Sequence, residues 1–198
     1  MTKVDYIRGK LSYIKSKVED DSNQYLYDTN KSAEDIFMHI LNATYGWQLN
    51  NANNIKSNFE AIDLLDTTNK IAIQVTSDTS KKKVKTDTIE AFNKLIEKDE
   101  FKKYIGYKIK IFYIKNKPSN TTIKNWEDEG LISKDDILGI EDINKEVSKN
   151  TEVANKVYEV IDSIFTDNKE GAISITINGD VKGVVNAENG SVINQTIS

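Results

Sequence analysis

The stretch that most constrains the fold is Ile62 to Val75, "IDLLDTTNKIAIQV". Two short apolar runs flank the polar loop "TTNK". Runs of this length, rich in Ile, Leu and Val and joined by a few turn formers, read as a β-hairpin. The expected strands are residues 61–66 and 71–76. Pairing Asp66 with Ile71 sets Leu64 opposite Ile73 and Ile62 opposite Val75. These four partners and Ile71 then share one apolar face. The other face carries Ala61, Asp63, Leu65, Ala72, Gln74 and Thr76. In that register Asp63 lies opposite Gln74, so the polar residues of two otherwise apolar strands meet.

Helical periodicity surrounds the hairpin. Val4, Ile7, Leu11, Ile14 and Val18 step by three and four, predicting a helix from residue 2 to about 19. "SAEDIFMHILNATYG" predicts a second, with Ser32 as N-cap and Gly46 as its end. The Asn-rich run "NNANNIKSN" reads as a connection built on turns. Residues 79–98 predict a helix capped by Thr79 or Ser80, with Val84, Thr88, Phe92, Leu95 and Ile96 inward. At 3.6 residues per turn Lys81 and Lys85 fall on that inner side, and Lys82 and Lys83 on the flanks. "YKIKIFYIKNK" is a third strand ended by Pro118. "TIKNWEDEGLI" is a short helix, "DILGI" a short strand, and 141–165 a long helix or a pair. His39, Trp47 and Trp126 read as packing residues. The expected fold class is therefore α/β, a central mixed sheet flanked by helices over residues 1–168.

The end of the chain has a different character. Residues 172–198 alternate β-branched residues, hold two Asn-Gly steps and carry almost no charge. This predicts a short C-terminal β tail. Isolated hairpins are marginal in water, so the tail is expected to pair with copies of itself and join chains into a homo-oligomer. Its addition to the chain's own sheet is the alternative.

Composition excludes several classes. There is no cysteine, which removes disulfides, thiolate metal sites and a cysteine nucleophile. No apolar run reaches the roughly 20 residues of a membrane span, and the start lacks a signal core. A cytoplasmic protein with no membrane partner is the expectation. The net charge is −4, but Thr79 to Lys117 holds twelve lysines against five acids. That segment is either a basic face for nucleic acid or a solvated helix surface.

An acid on one strand and an amide on the next suit phosphodiester hydrolysis, which needs a hard divalent cation held by oxygen. Asp63 supplies the charged ligand, Gln74 a neutral oxygen, and the Val75 carbonyl another. A lysine must orient or deprotonate the water, and the nearest are Lys81 and Lys83. Glu34 shares the apolar stripe of Phe37 and Leu41. It is either a further acid of the site or a first-turn acid favoured by the helix dipole. Ser77 and Ser80 could contact phosphate before the lysine-rich helix, with Lys82 and Lys85 on the backbone of the substrate.

"EDIFMHILNATYGWQLNN", "IDLLD", "IAIQVTSDTSKKKV" and "IKIFYIKNK", in that order and spacing, resemble the SMEK domain of bacterial conflict-system proteins. That domain is similar to the PD-(D/E)xK restriction-endonuclease-like superfamily. The resemblance covers about residues 1–165. It implies a restriction-endonuclease-like fold and a nuclease using Mg2+ or Mn2+ on DNA, with RNA as the alternative, in bacterial antiviral defence. By position, Asp63 would be the core acid, Gln74 the second-strand ligand and Glu34 the helix acid. The chain departs from the superfamily pattern at Ile62 in place of proline, Gln74 in place of glutamate and Thr76 in place of lysine. A catalytically inactive module that binds nucleic acid, nucleotide or a partner protein is the second expectation.

Overall fold

The computed structural model describes residues 1–22, 27–54, 59 and 61–170. The tail from Ala172 lies outside these residues, so its expected β-structure and pairing are outside them too.

A five-stranded mixed sheet forms the centre, in the order β1-β2-β3-β4-β5. The strands are β1 (Asn50–Asn51), β2 (Leu64–Asp66), β3 (Ile71–Thr76), β4 (Lys108–Tyr113) and β5 (Ile137–Gly139). β1, β2 and β3 are antiparallel neighbours, and β3, β4 and β5 are parallel. The hairpin register is the expected one: Asp66 pairs with Ile71 and Leu64 with Ile73.

Four helices cover one face: α1 (Lys3–Ser22), α2 (Tyr27–Tyr45), α6 (Ile140–Lys149) and α7 (Thr151–Glu170). Ile7, Leu11, Ile14 and Val18 of α1 are all buried, as their spacing predicts. They join Phe37, Ile40 and Leu41 of α2 and Leu64, Ile71, Ile73, Val75 and Phe112 of the sheet. Phe37 and Phe112 pack ring to ring at 4.8 Å. Truncating such a residue to alanine costs about 2–5 kcal/mol.

The other face is covered by the crossover from β3 to β4 and by α5 (Asn120–Asp128). The crossover contains α3 (Lys81–Val84), a π-helical stretch (Lys85–Glu90), α4 (Ala91–Ile96) and a 3-10 turn (Asp99–Tyr104). Its inner residues are Val84, Thr88, Phe92 and Leu95, all buried as expected. The hydroxyl of Thr88 donates to the Lys83 carbonyl at 2.9 Å, five residues back, which matches the wider π turn.

Several expectations need correction. Ile62 does not face Val75. The chain turns before β2, with Ala61 at φ +73°, and Ile62 packs with Leu65, Ala72 and Phe92 on the opposite face. Ser32 lies inside α2 rather than capping it. The Asn-rich connection is ordered in part, as its turn-forming residues allow, but Asn50 and Asn51 form strand and pair with Leu65 and Leu64. Of the two forms expected for the C-terminal helical stretch, the structure has the pair, divided at Asn150, where the backbone leaves helical geometry. His39 is exposed on α2 rather than packed.

Candidate functional site

The site grows from a failure of ladder pairing. β2 begins only at Leu64 because the preceding chain bends away, whereas its partner β3 continues to Thr76. The backbone of Asp63 still binds on both sides: its N–H donates to the Ile73 carbonyl at 3.0 Å, and its carbonyl accepts from the Ala52 N–H at 2.7 Å. This fixes the residue at the strand mouth. Its carboxylate oxygen Oδ2 then accepts the Val75 N–H at 2.7 Å, where a longer β2 would have offered a carbonyl. A buried N–H rarely goes unpaired, so the aspartate completes the edge of β3.

Gln74 joins the same oxygen. Its Nε2 donates to Asp63 Oδ2 at 2.5 Å and to the Val75 carbonyl at 2.9 Å. Gln74 alternates with Ile73 and Val75, so it faces the crossover layer, away from α1 and α2. The sequence-based meeting of Asp63 and Gln74 is therefore present. One amide NH2 group bridges two oxygens, a carboxylate and a backbone carbonyl. These are hard, anionic or dipolar donors about one hydrogen-bond length from a common point. Among the described residues no three His, Cys, Asp or Glu side chains cluster as a metal site, so any cation here rests on this mixed set.

Burial raises the Asp63 carboxyl to about 6, and the Val75 N–H, the Lys83 charge and the Gln74 amide pull against that rise. The carboxyl is thus poised near neutrality rather than fixed as an anion.

Of the expected lysines, Lys83 alone acts on the pair. It is half-buried, and its charge lowers the titration of both Asp63 and Asp78. Lys81, expected on the inner side, is exposed and paired with Glu129 at the end of α5. It sits in the first turn of α3, within reach of that carboxylate. Lys85, also expected inward, is exposed and 3.9 Å from Glu90. Lys82 meets Asp87 at 3.0 Å.

The loop after β3 is tied by its own side chains. The Asp78 N–H donates to Thr76 Oγ1 at 3.0 Å, and the Ser80 N–H to Asp78 Oδ1 at 2.8 Å. Ser80 is the N-cap: its hydroxyl accepts from the Lys83 N–H at 3.1 Å. The Ser80 backbone bond holds the Asp78 carboxyl below its usual range. Ser77 is exposed. Asp78 is the residue that sequence reasoning passed over. It lies between two singled-out serines, and its nearness to Lys83 could be seen as i, i+5 spacing across a cap.

Glu34 is half-buried on α2. α2 covers the face of Ile71, Ile73 and Val75, so Glu34 belongs to the layer opposite the one that Gln74 faces. Its neighbour Asp35 accepts from Asn51 Nδ2 at 3.0 Å, which ties this end of α2 to β1.

Trp47 stacks on Tyr45 at 4.5 Å, and Trp126 is buried on the inner side of α5, so both pack as expected. No helix of the described residues is long and apolar enough to cross a membrane. The family model for the SMEK domain matches residues 6–148. No curated protein and no solved structure matches the chain.

Proposed function

Because the chain belongs to the SMEK domain family, we propose that it is a metal-dependent, nuclease-like protein of the PD-(D/E)xK restriction-endonuclease-like type, acting on DNA. The observation that supports this reading is the convergence of Asp63 Oδ2 and the Val75 carbonyl on the Gln74 amide, at 2.5 and 2.9 Å. Asp63, the Val75 carbonyl and a turned Gln74 amide would hold Mg2+ or Mn2+, without Glu34, which the sequence pattern offers as a further acid but which lies in the opposite layer. The bound cation would activate water and offset the charge that builds on the scissile phosphate.

The remaining roles fall to this chain's own residues. Lys83 replaces the lysine that the superfamily carries where Thr76 stands, and it orients the water against Asp63. Lys81 takes a supporting part when Glu129 releases it. Lys82 and Lys85 are exposed and held by the half-buried acids Asp87 and Glu90, and surface pairs contribute only about 0–1 kcal/mol. A phosphate backbone can therefore displace those acids. Ser77 offers an exposed hydroxyl, while Ser80 contributes through the cap it forms. We place this activity in the cytoplasm, in bacterial antiviral defence, with chains gathered into a homo-oligomer through residues 172–198.

The second reading is a module of the same fold that binds nucleic acid without cutting it. Gln74 and Thr76 favour it: both are polar but neutral, and Thr76 Oγ1 is occupied by the Asp78 N–H. Incubation of the full chain with DNA and either Mg2+ or Mn2+ decides between them. Cleavage that is lost in Asp63→Asn, which still accepts the Val75 N–H and so keeps the fold, supports the nuclease. DNA binding with no cleavage under either metal supports the second reading. Neither binding nor cleavage of DNA or RNA overturns both.

A further inference from the structure

α1 and α7 lie side by side and run in the same direction. Lys3 meets Asn155, Tyr6 donates to Asp162, and Tyr13 packs on Phe165 at 5.8 Å. Between them runs a groove of about 530 Å3 whose lining includes Met1, Tyr6, Gly9, Lys10, Tyr13 and Phe165. That volume falls within the roughly 300–1,000 Å3 of binding clefts. Tyr13 is 51% exposed and Met1 96%, two of the three large apolar residues exposed among the described ones. The lysines around the groove lie over rings: Lys10 is 4.0 Å from the centre of Phe165, and Lys17 is 5.8 Å from that of Tyr13. Their charges sit at the margin while their stems extend the apolar surface.

Gly9 is the independent observation. Glycine weakens a helix interior more than any residue but proline, so its place in α1 asks for a reason. A Cβ built there meets nothing within 4 Å. Among the described residues no neighbour needs the space, whereas a segment lying in the groove would.

We propose that this groove receives residues 172–198 of a second copy of the chain. This rests on the reading of that segment as the assembly element, and it adds the surface that accepts it. In residues 172–198 only Asp180, Lys182 and Glu188 are charged, and the β-branched residues alternate. That chemistry matches a groove lined mainly by Met1, Tyr6, Tyr13 and Phe165, with Asp5 and Lys10 as its charged lining residues. Direction argues for a second copy. Phe165 meets Tyr13 at the far end of the groove, and α7 carries the chain on to Glu170, away from it. A chain's own segment would have to reverse at once to enter. Two copies related by a two-fold axis can each place the segment in the other's groove and close the assembly.

The test uses the full chain, a chain ending at Glu170, and the full-length substitutions Gly9→Leu and Tyr13→Ser, each followed by light scattering over a concentration series. The shortened chain retains the whole described core, which runs from Ile7 to Ile161. Far-UV circular dichroism checks each fold. Assembly of the full chain, a monomeric shortened chain, and a roughly tenfold or greater rise in dissociation constant for Gly9→Leu support the proposal. A smaller rise is expected for Tyr13→Ser. If full and shortened chains are both monomers, the assembly reading falls and the groove proposal with it. If the full chain assembles and both substitutions leave it unchanged, the groove alone is wrong. A monomeric full chain whose Tyr13 is shielded from nitration, while that of the shortened chain is not, assigns the groove to the chain's own segment and overturns the second copy.

Discussion

Asp63 and Asp66 lie three residues apart on the same hairpin, and the fold treats them in opposite ways. Asp66 is fully buried, and its carboxylate is saturated. Oδ1 accepts the N–H groups of Thr68 and Asn69, and Oδ2 accepts the Gln48 N–H and the Asn69 amide, all within 2.9 Å. Burial raises its carboxyl, but the Asn69 amide and the three N–H groups outweigh that and leave it below the usual value. Asp63 is half-buried, accepts two hydrogen bonds on one oxygen, and is raised to about 6. A carboxylate whose lone pairs are all used is a structural anchor. One with an oxygen to spare and an unfavourable charge is available for a ligand.

The largest expected effect is at the anchor. Asp66→Ala leaves buried donors from Gln48, Thr68 and Asn69 without an acceptor, and each such loss costs about 1–3 kcal/mol. The sum is expected near 3 kcal/mol or above, read by urea denaturation. Because the folded carboxyl is depressed, Asp66 contributes stability above the usual value of 3.8, and that stability is lost as pH falls below it. A substitution costing under 1 kcal/mol would remove the distinction drawn here.

Asp63→Asn should move the other way. The folded carboxyl near 6 stands above its usual 3.8. Between those values the folded chain holds the proton more firmly than the unfolded one, so stability falls as pH rises from about 4 to 6 and the loss persists above. Asparagine can still accept the Val75 N–H without a charge. At pH 7 it should be more stable than wild type by about 1–2 kcal/mol, allowing for partial exposure, and by nothing at pH 4. It should also lose affinity for Mn2+. A destabilised Asp63→Asn at pH 7 would mark Asp63 as a second structural anchor.

This contrast explains what could be read from sequence. The loop "TTNK" and the alternation of "IAIQV" set the register, and the register brings Asp63 to Gln74. Both follow from side-chain period and turn length, which are local. Ile62 could not be placed the same way. Its face depends on a bend at Ala61, a non-glycine residue at φ +73°, and nothing local announces that. The lysines show the same limit. Their order on a helix can be counted, but Lys81 is drawn to Glu129, 48 residues on, by tertiary structure. The π-helical stretch also breaks the 3.6-residue count that placed Lys85 inward. Asn50 and Asn51 form strand because β2 offers an edge to pair with, not because asparagine favours extended backbone.

Gln74→Glu sharpens the comparison from the amide side. A second carboxylate at 2.5 Å from Asp63 would share a proton with it and raise the apparent titration of the pair. Without metal the variant should lose about 1 kcal/mol at pH 7. With Mn2+ present the loss should vanish, and the affinity should exceed that of wild type about tenfold, or 1.4 kcal/mol. Thermal melts with and without Mn2+ read both effects. A variant indifferent to the metal would mean that the two oxygens on the Gln74 amide do not form a cation site.

The smallest effect expected is at Lys83, and it isolates the electrostatics of the site from its hydrogen bonds. Lys83 makes no hydrogen bond in the Asp63–Gln74–Val75 set, yet its charge lowers the Asp63 carboxyl from within the crossover layer. Lys83→Gln keeps the length of the stem and removes the charge. The Asp63 titration should then rise by roughly half a unit, the size of a single screened charge at the edge of a protein. Mn2+ affinity measured against pH reports this, because the cation competes with the proton and binding strengthens as pH passes the Asp63 midpoint. In Lys83→Gln that midpoint should sit higher, while the plateau at high pH should strengthen, since a positive neighbour no longer opposes the metal. Lys81→Gln, whose charge is committed to Glu129, should leave the midpoint where it is. If both substitutions move it equally, the lysine run acts as a diffuse field, and Lys83 has no special place beside Asp63.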